Sequence, residues 1–433
     1  MNAARPAFPW WKRTLFSLLA VALVLAVVEG IVFAASRTLL SSDRVDVGDV
    51  PETPDLRPGR EQAGLGFRDP SMCLHPFLGY VFLPHDERPE SGPARIAISS
   101  DGFLDAKSPI RKRREGSLIV GVLGGSVAGQ LGSLHAEHLE RAFRRHPEFA
   151  SAEIDFVWLG MPGYHQPQQV VQLSWVLAQG GEFDLVINLD GFNELAVPCA
   201  LNAPQGAHPL YPMNWSMVAL DVPDAEVRRH IGAVAFLREE REQRASEFRE
   251  SLWSFSPTAR LIWRRGDDAL ARRIADYAWR LQQVPSGDLP YFVRGPQRMH
   301  VPVEEMIYVC RDVWKQCSIQ LNALCEANGV RYLHCLQPNQ YDPGSKRLSA
   351  DEKQSAFDDE SPYRQAVESG YPLLRAAGDE LRHAGVAFHD LSRIFEGERE
   401  TLYLDNCCHF NADGNRILAD AIADAASRLW VNA

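Results

Sequence analysis

A three-layer α/β/α sandwich around a mostly parallel sheet is the predicted fold, because short apolar runs alternate with longer segments of helical periodicity. Parallel strands are buried on both faces, which explains why these runs are almost continuously apolar. The strand-like runs are 117–124, 153–159, 183–190, 330–336 and 385–390. The helix-like segments are 130–145, 167–180, 305–328, 361–384 and 413–430.

One segment, 196–304, breaks this alternation and is predicted to be a helical insertion between the third and fourth strand units. It contains Trp253, Trp263, Trp279 and Tyr291. Large aromatic side chains commonly fill cores, so the favoured interpretation is that they form the small core of the insertion. The alternative is that they line a lid or a groove for a sugar.

The N-terminal segment 14–35 is rich in Leu, Val and Ala and has the length of a bilayer-spanning helix. Basic residues precede it, which predicts a cytoplasmic N-terminus and an exported main domain. We therefore predict an inner-membrane, single-pass anchor over 1–36, an extended linker over 37–66 and the main domain over 67–433, on the periplasmic side. The alternative is a cleaved signal peptide, although the apolar run exceeds the usual length.

The charge and the cysteines limit the partners and cofactors of the chain. A formal net charge of −11 without a basic stripe argues against nucleic acid as a partner. Cys407, Cys408 and His409 are adjacent, but three ligands make an incomplete zinc set, so no metal is predicted. No cofactor is predicted either. The eight cysteines could form disulfides in an oxidising compartment, but their spacing does not fix the pairs.

A serine among glycines follows the first strand-like run. Gly124-Gly125-Ser126 lies where 117–124 ends and a helical segment begins. Glycines allow a tight turn and close approach of a ligand, and the N–H groups at a helix start favour negative charge. A nucleophilic serine and its oxyanion need both properties. The alternative is an ordinary strand–helix turn with an incidental serine.

Three later segments favour the catalytic interpretation. Gly163 follows the second strand-like run, Asn193 follows the third, and His409 precedes the last helix-like segment. In an open α/β sheet, functional groups collect at the carboxyl ends of the strands. The order Ser, Gly, Asn and His therefore predicts one shared site.

This order of blocks resembles the SGNH hydrolases, also called the GDSL-type esterase/lipase family, over about residues 73–430. The resemblance implies a flavodoxin-like sheet, with Ser126 as nucleophile and His409 as general base. It also implies an oxyanion hole made of the Ser126 and Gly163 N–H groups and the Asn193 side chain.

Three further segments, 74–80, 100–103 and 336–339, resemble a membrane-anchored bacterial subgroup of this family. Glu194, which ends the Asn193 block, and Gln337, in the last of these segments, are candidates for substrate binding.

The partner of the histidine is a departure from the family pattern, which usually has Asp-x-x-His. Asp405 lies four residues before His409, and Asn406 occupies the usual position. The imidazole needs an acceptor at Nδ1 to fix its tautomer and stabilise its charged form, which favours Asp405 in a loop with one extra residue. Asn406 and Asp390 are the alternatives.

The implied activity is acyl transfer through a covalent serine intermediate. We expect a membrane-anchored, extracytoplasmic serine ester hydrolase that removes acyl groups, above all acetyl, from an envelope or exported carbohydrate. An acylated small molecule or glycan would be the substrate, and the sequence does not indicate an oligomeric state. One alternative is an O-acyltransferase that uses the same serine. Another is a non-catalytic glycan-binding or assembly protein on the same fold.

Overall fold

The structure is a computed structural model of the chain. It describes residues 11–12, 14–20, 23–24, 27, 29, 72–84, 97–213, 215, 225–282, 296 and 301–431. The predicted linker 37–66 lies outside the described residues. Two compact units are present: residues 63–222 with 285–433 form the larger, and residues 1–62 with 223–284 the smaller.

The secondary structure follows the predicted alternation. The strands are β1 (Met72–His75), β2 (Gly79–Phe82), β3 (Ser117–Gly124), β4 (Glu153–Trp158), β5 (Leu185–Asp190), β6 (Arg331–Leu336) and β7 (Phe388–Asp390). The α-helices are α1 (Ser126–Leu134), α2 (Ala136–Arg144), α3 (Pro147–Ala150), α4 (Gln168–Ala178), α5 (Phe192–Ala196), α6 (Ala225–Glu250), α7 (Pro257–Gln282), α8 (Val303–Ala327), α9 (Ala350–Ser355), α10 (Arg364–His383) and α11 (Ala412–Val431).

The main sheet has the order β4-β3-β5-β6-β7, and every neighbouring pair is parallel. Numbered along the chain from β3, this order is 2-1-3-4-5, the flavodoxin-like arrangement. The α/β class and the parallel sheet predicted from the sequence are confirmed. β1 and β2 form a separate antiparallel hairpin.

The helices cover the sheet in two groups. α2 packs against α11, whereas α8 packs against α10 and α4. Because crossovers between parallel strands are right-handed, the strand order places these two groups on opposite faces. β3 is buried along its length except at Ser117, as expected for a strand with neighbours on both sides and helices above and below.

The first predicted helix, 130–145, is two helices in the structure. α1 ends at Leu134 and α2 begins at Ala136, because the backbone of His135 leaves the helical region at φ −134°. α1 also begins at Ser126, earlier than predicted, so this serine is the first residue of a helix.

Part of the predicted insertion 196–304 belongs to the larger unit, since only residues 223–284 fall in the smaller one. There α6 and α7 pack against each other around aliphatic side chains. A buried ion pair joins the two helices, with Arg241 Nε and Nη2 donating to the two Asp267 carboxylate oxygens at 2.5 and 2.8 Å.

The tryptophans of the predicted insertion do not form the core of this helical pair. Trp253 is 71% exposed and Trp279 is 46% exposed, whereas Trp263 stacks on Phe248 at 5.3 Å between ring centroids. Tyr291 lies outside the described residues. The small core is aliphatic because residues such as Ile231 and Ile274 occupy the facing sides of the two helices.

The prediction of an N-terminal transmembrane helix over 14–35 is wrong. Among the described residues, no helix combines the length and the apolar character needed to cross a bilayer. Glu29 accepts hydrogen bonds from Ser256 Oγ and from the Thr258 N–H, at the start of α7.

Candidate active site

Ser126 lies at the carboxyl end of β3, at the first position of α1. The two residues before it must be glycines, because neighbouring atoms of the chain leave no room for a Cβ. A Cβ on Gly124, whose φ is +146°, would lie 2.1 Å from the Leu189 carbonyl oxygen. A Cβ on Gly125 would lie 2.2 Å from Asn193 Nδ2. Both glycines therefore let the serine turn pack directly against the end of β5 and the turn that follows it.

The structure brings Ser126, His409 and Asp405 together. His409 Nε2 lies 2.7 Å from Ser126 Oγ, and His409 Nδ1 lies 2.5 Å from Asp405 Oδ2. These distances are those of a nucleophile, its general base and the carboxylate that orients the base.

Of the three predicted partners of the histidine, Asp405 is the one that contacts the ring. Asn406 Oδ1 is buried and has no hydrogen-bond partner among the described residues. Asp390 is exposed, and its Oδ1 accepts from the Ser392 N–H.

The four-residue spacing between Asp405 and His409 has a structural reason. Asp405 Oδ1 accepts from the N–H groups of Cys407, Cys408 and His409 at 3.0, 3.1 and 3.3 Å. The Leu404 N–H donates to the His409 carbonyl at 2.9 Å and closes the loop. One carboxylate oxygen thus organises the loop while the other holds the imidazole.

The electrostatic balance at Asp405 favours its charged form. Burial acts to raise the pKa of this carboxyl, but the hydrogen bond and electrostatic interaction with His409 and the hydrogen bonds from the loop N–H groups outweigh burial. The pKa of Asp405 is consequently below its ordinary value of 3.8.

This lowered pKa predicts a pH-dependent contribution to stability. The unfolded state takes up the proton first as the pH falls, so the stabilisation by Asp405 is complete above its ordinary pKa and is lost as the pH falls through its lower folded-state pKa. We expect the difference in Tm between the wild type and Asp405→Asn to be constant from about pH 7 to pH 5 and to shrink below about pH 4. Thermal unfolding of both proteins across this range measures it, and a difference that does not change with pH would contradict the expectation.

Residues after β6 hold the histidine loop in place. Asn339 Nδ2 donates to the Cys407 carbonyl at 3.0 Å, and Gln340 Nε2 donates to the Asp405 carbonyl at 2.9 Å. Asn339 belongs to the segment 336–339, which the sequence singled out by resemblance, but no role was predicted for Asn339 itself. The contact of Gln340 had no signal in the sequence.

A buried ion pair fixes the segment that leads into the histidine loop. Glu352 Oε2 lies 2.8 Å from Lys346 Nζ, and both side chains are fully buried. Glu352 Oε1 accepts from the Leu402 and Tyr403 N–H groups at 2.8 and 3.1 Å. Lys346 and Glu352 are six residues apart, but the two N–H groups that Glu352 accepts from lie about 50 residues further along the chain, so no local spacing indicates this contact.

Of the predicted oxyanion donors, the Asn193 side chain lies directly against the serine turn. Asn193 Nδ2 is adjacent to Gly125 and donates to the Tyr164 carbonyl at 2.9 Å. An amide nitrogen has two hydrogens, so the second can point to a substrate oxygen. Gly163 has φ +73°, and a Cβ there would lie 2.9 Å from Tyr80 Oη. The Ser126 N–H is at a helix N-terminus, where the first N–H groups have no intrahelical partner.

The β1–β2 hairpin supports the glycine turn. Tyr80 Oη donates to the Pro162 carbonyl at 2.6 Å, and Tyr164 Oη donates to the Tyr80 carbonyl at 2.5 Å. Gln168 Nε2 donates to the Leu78 carbonyl at 3.0 Å. The segment 74–80, noted in the sequence only by resemblance, thus braces the backbone around Gly163.

His165, which sequence reasoning missed, lies under the same turn. Its side chain is fully buried and its Nδ1 lies 3.2 Å from the Gly163 carbonyl oxygen. Burial lowers the pKa of His165 to about 4, so the ring is neutral at pH 7 and donates to that carbonyl without adding a charge beside the Gly163 turn.

The two predicted substrate-binding residues are almost wholly buried, each at 3% exposure. Glu194 accepts from the Gly191 N–H at 2.6 Å and from the Gln166 N–H at 3.2 Å. Burial, reinforced by the charge of Asp190, raises the pKa of Glu194 well above its ordinary value. The Gln337 N–H donates to the Asp190 carbonyl at 2.9 Å. Their role in substrate binding stays a prediction, and Glu194 in addition braces the turn that carries Asn193.

A second Ser-His-Asp set lies inside the larger unit. Ser318 Oγ lies 2.7 Å from His334 Nδ1, and His334 Nε2 lies 2.8 Å from Asp190 Oδ1. Trp314 Nε1 also donates to Asp190 Oδ1, at 2.7 Å. All of these side chains are buried, so a substrate would not reach the serine. The set instead fixes the end of β5, from which the Asn193 turn begins.

Asn193→Ala is expected to lower kcat by about 10²- to 10³-fold, because it removes one donor to the developing oxyanion. The lost hydrogen bond to Tyr164 should cost only about 1 kcal/mol of stability. Steady-state kinetics and Tm measure the two effects. Asn193→Asp is the matched control, since it keeps the shape and removes the donor, so it should lose activity as well. Unchanged turnover in either variant would exclude Asn193 from the site.

One group of close metal-binding side chains occurs in the part of the chain that the structure describes: Cys407, Cys408 and His409. One potential ligand atom from each lies within 4.8 Å of the others. The Cys407 and Cys408 sulfurs are 3.6 Å apart and both cysteines are free.

The fold and the site together define an α/β protein with an Asp-His-Ser chain of hydrogen bonds at the carboxyl ends of parallel strands. No protein-family model and no curated protein matches the sequence.

Several solved structures are similar to the chain at low identity. A mutant of Axe2, an acetyl-xylooligosaccharide esterase from Geobacillus, is 13% identical, with 72% of this chain and 96% of that chain covered and a TM-score of 0.34. Axe2 itself, an acetylxylan esterase from Geobacillus stearothermophilus, is 13% identical, with 72% and 94% covered and a TM-score of 0.33. A catalytic mutant of the same esterase is 12% identical at the same coverage and TM-score.

Proposed function

We propose that the chain is a serine ester hydrolase. One observation carries the proposal: Ser126 Oγ, His409 and Asp405 form a continuous chain of hydrogen bonds at a helix N-terminus. The three side chains are partly exposed, in contrast to the buried Ser318-His334-Asp190 set. A reactive serine needs both an adjacent base and access for the substrate.

In the proposed reaction His409 Nε2 takes the Ser126 proton as Oγ attacks the ester carbonyl. The Ser126 and Gly163 N–H groups and the Asn193 amide stabilise the oxyanion of the tetrahedral intermediate. Asp405 holds the imidazole in the required tautomer and stabilises imidazolium. His409 then protonates the leaving alcohol, and water activated by the same ring releases the acyl group from Ser126.

The proposed substrate is an acyl ester, above all an acetyl ester, of an envelope or exported carbohydrate. This substrate class depends on the family resemblance of the sequence and not on a contact in the site. The extracytoplasmic location stays a prediction of the sequence.

The test is release of the acyl group from short acyl esters and from acetylated oligosaccharides, with Ser126→Ala as the blank. We expect acetate release by the wild type and none above background by the variant. Hydrolysis at equal rates by both proteins would refute the proposal.

Two further experiments distinguish the hydrolase from the O-acyltransferase and from the non-catalytic protein. An O-acyltransferase would transfer the acyl group from Ser126 to an added polysaccharide acceptor, and product analysis with and without acceptor distinguishes it from a hydrolase. The non-catalytic alternative depended on the irregular spacing of Asp405, and the contact of Asp405 with His409 supports catalysis instead. A fluorophosphonate probe that fails to label Ser126 in the folded protein would favour the non-catalytic alternative.

A further inference from the structure

We propose that Cys407, Cys408 and His409 form a binding site for a thiophilic divalent cation, with Zn²⁺ as the best fit, and that the bound ion reversibly inhibits the enzyme. The inhibition, but not the binding, rests on the proposed hydrolase function. Three observations support the site: the separation of the two sulfurs, the carboxylate behind the histidine, and the position of the serine hydroxyl.

The two sulfurs are already spaced for tetrahedral zinc. Zn–S bonds of about 2.3 Å at the tetrahedral angle place two sulfurs about 3.8 Å apart. Cys407 Sγ and Cys408 Sγ are 3.6 Å apart. The three potential ligand atoms lie within 4.8 Å of one another, so the remaining edges must close by about 1 Å to reach tetrahedral spacing.

The histidine is already oriented as a metal ligand. A zinc-bound imidazole commonly donates its other N–H to a carboxylate, which fixes the ring and raises its basicity. His409 Nδ1 contacts Asp405 Oδ2 at 2.5 Å, which leaves Nε2 as the nitrogen for a cation. The arrangement that orients a general base therefore also orients a zinc ligand.

A fourth position is available beside these ligands. Ser126 Oγ lies 2.7 Å from His409 Nε2 and 3.9 Å from Cys408 Sγ. The hydroxyl, or a water next to it, would complete the usual set of four ligands. Cys407 and His409 are both partly exposed, so a cation can reach the site from solvent.

Binding and inhibition follow from the same chemistry. Each thiol releases one proton to solvent as its thiolate binds the cation, and His409 contributes the lone pair of Nε2. That lone pair is the one that accepts the Ser126 proton in the proposed reaction. A bound cation therefore removes the general base without modifying the protein covalently.

Binding is tested directly with Co²⁺, using the full chain after treatment with a reductant and a chelator and removal of both. We expect one equivalent of Co²⁺ to produce thiolate-to-cobalt charge-transfer absorption, and Zn²⁺ to displace it. Cys407→Ala should weaken Co²⁺ binding by at least about 10- to 100-fold, the loss seen when only an outer-shell partner is removed. Cys73→Ala is the matched control, because Cys73 is also a partly exposed cysteine but lies on β1, and Co²⁺ binding by this variant should equal that of the wild type. Equal Co²⁺ binding by Cys407→Ala and the wild type would overturn the site.

Inhibition is measured separately, as acetate release against Zn²⁺ concentration, with each variant compared with its own zinc-free rate. We expect inhibition that a chelator reverses, and a corresponding rise in the inhibitory Zn²⁺ concentration for Cys407→Ala. Inhibition that a chelator does not reverse would overturn the proposal. Co²⁺ binding by a protein without esterase activity would refute the proposed function but support the metal site. Esterase activity without Co²⁺ binding would support the proposed function and refute the metal site.

Discussion

Ser126→Ala is expected to abolish ester hydrolysis, with kcat falling by roughly four to six orders of magnitude, because removal of a serine nucleophile also removes the benefit of its histidine and aspartate. In the structure the general base of the proposed reaction already contacts this serine: His409 Nε2 lies 2.7 Å from its hydroxyl oxygen. Active-site labelling by a fluorophosphonate should disappear with the activity. Steady-state kinetics with a short acyl ester and intact-mass analysis after labelling measure the two losses.

The control for this variant lies on the same helix. Ser133 is partly exposed near the end of α1, so Ser133→Ala changes the same residue type without reaching His409. We expect Ser133→Ala to keep wild-type kinetics, and both variants to keep the wild-type Tm within a few degrees, since single surface or partly buried hydroxyls contribute little to stability. Labelling that persists in Ser126→Ala would show that another residue is the nucleophile.

Asp405→Asn is expected to lower kcat by about 10⁴-fold while the histidine loop stays folded. The asparagine oxygen can still accept from the Cys407, Cys408 and His409 N–H groups, which now bond to Asp405 Oδ1. Its amide, however, would donate to His409 Nδ1, which favours the wrong tautomer and leaves imidazolium without a charged partner. Kinetics from pH 6 to 9 measure the loss, and circular dichroism checks the fold.

The neighbouring residue supplies the control for Asp405→Asn. Asn406 occupies the position that the family pattern gives to the aspartate, but its Oδ1 has no hydrogen-bond partner among the described residues. Asn406→Ala should therefore leave kcat within a few-fold of the wild type, because a buried acceptor without a partner contributes no hydrogen bond to lose. A larger loss in Asn406→Ala than in Asp405→Asn would assign the orienting role to Asn406.

Much of the fold was predictable because its signals are local. The apolar run 117–124 is β3 at the predicted bounds, since a central parallel strand must be apolar on both faces. The helix predicted over 413–430 is α11, which differs by one residue at each end. The prediction of a transmembrane helix over 14–35 was wrong, since no helix in the described part of the chain is long and apolar enough to cross a bilayer.

The sequence by itself determined the order of the site residues and their places at strand ends and helix starts, because strand and helix periodicity are local properties of the chain. It favoured Asp405 as the partner of the histidine but left Asn406 and Asp390 as alternatives, since the choice depends on the path of a single loop. Nor did it reveal the buried Ser318-His334-Asp190 set, which has the same residue types as the partly exposed Ser126 set. The tertiary structure decided both, because burial and the meeting of residues 126 and 409 depend on how the whole sheet and its helices pack.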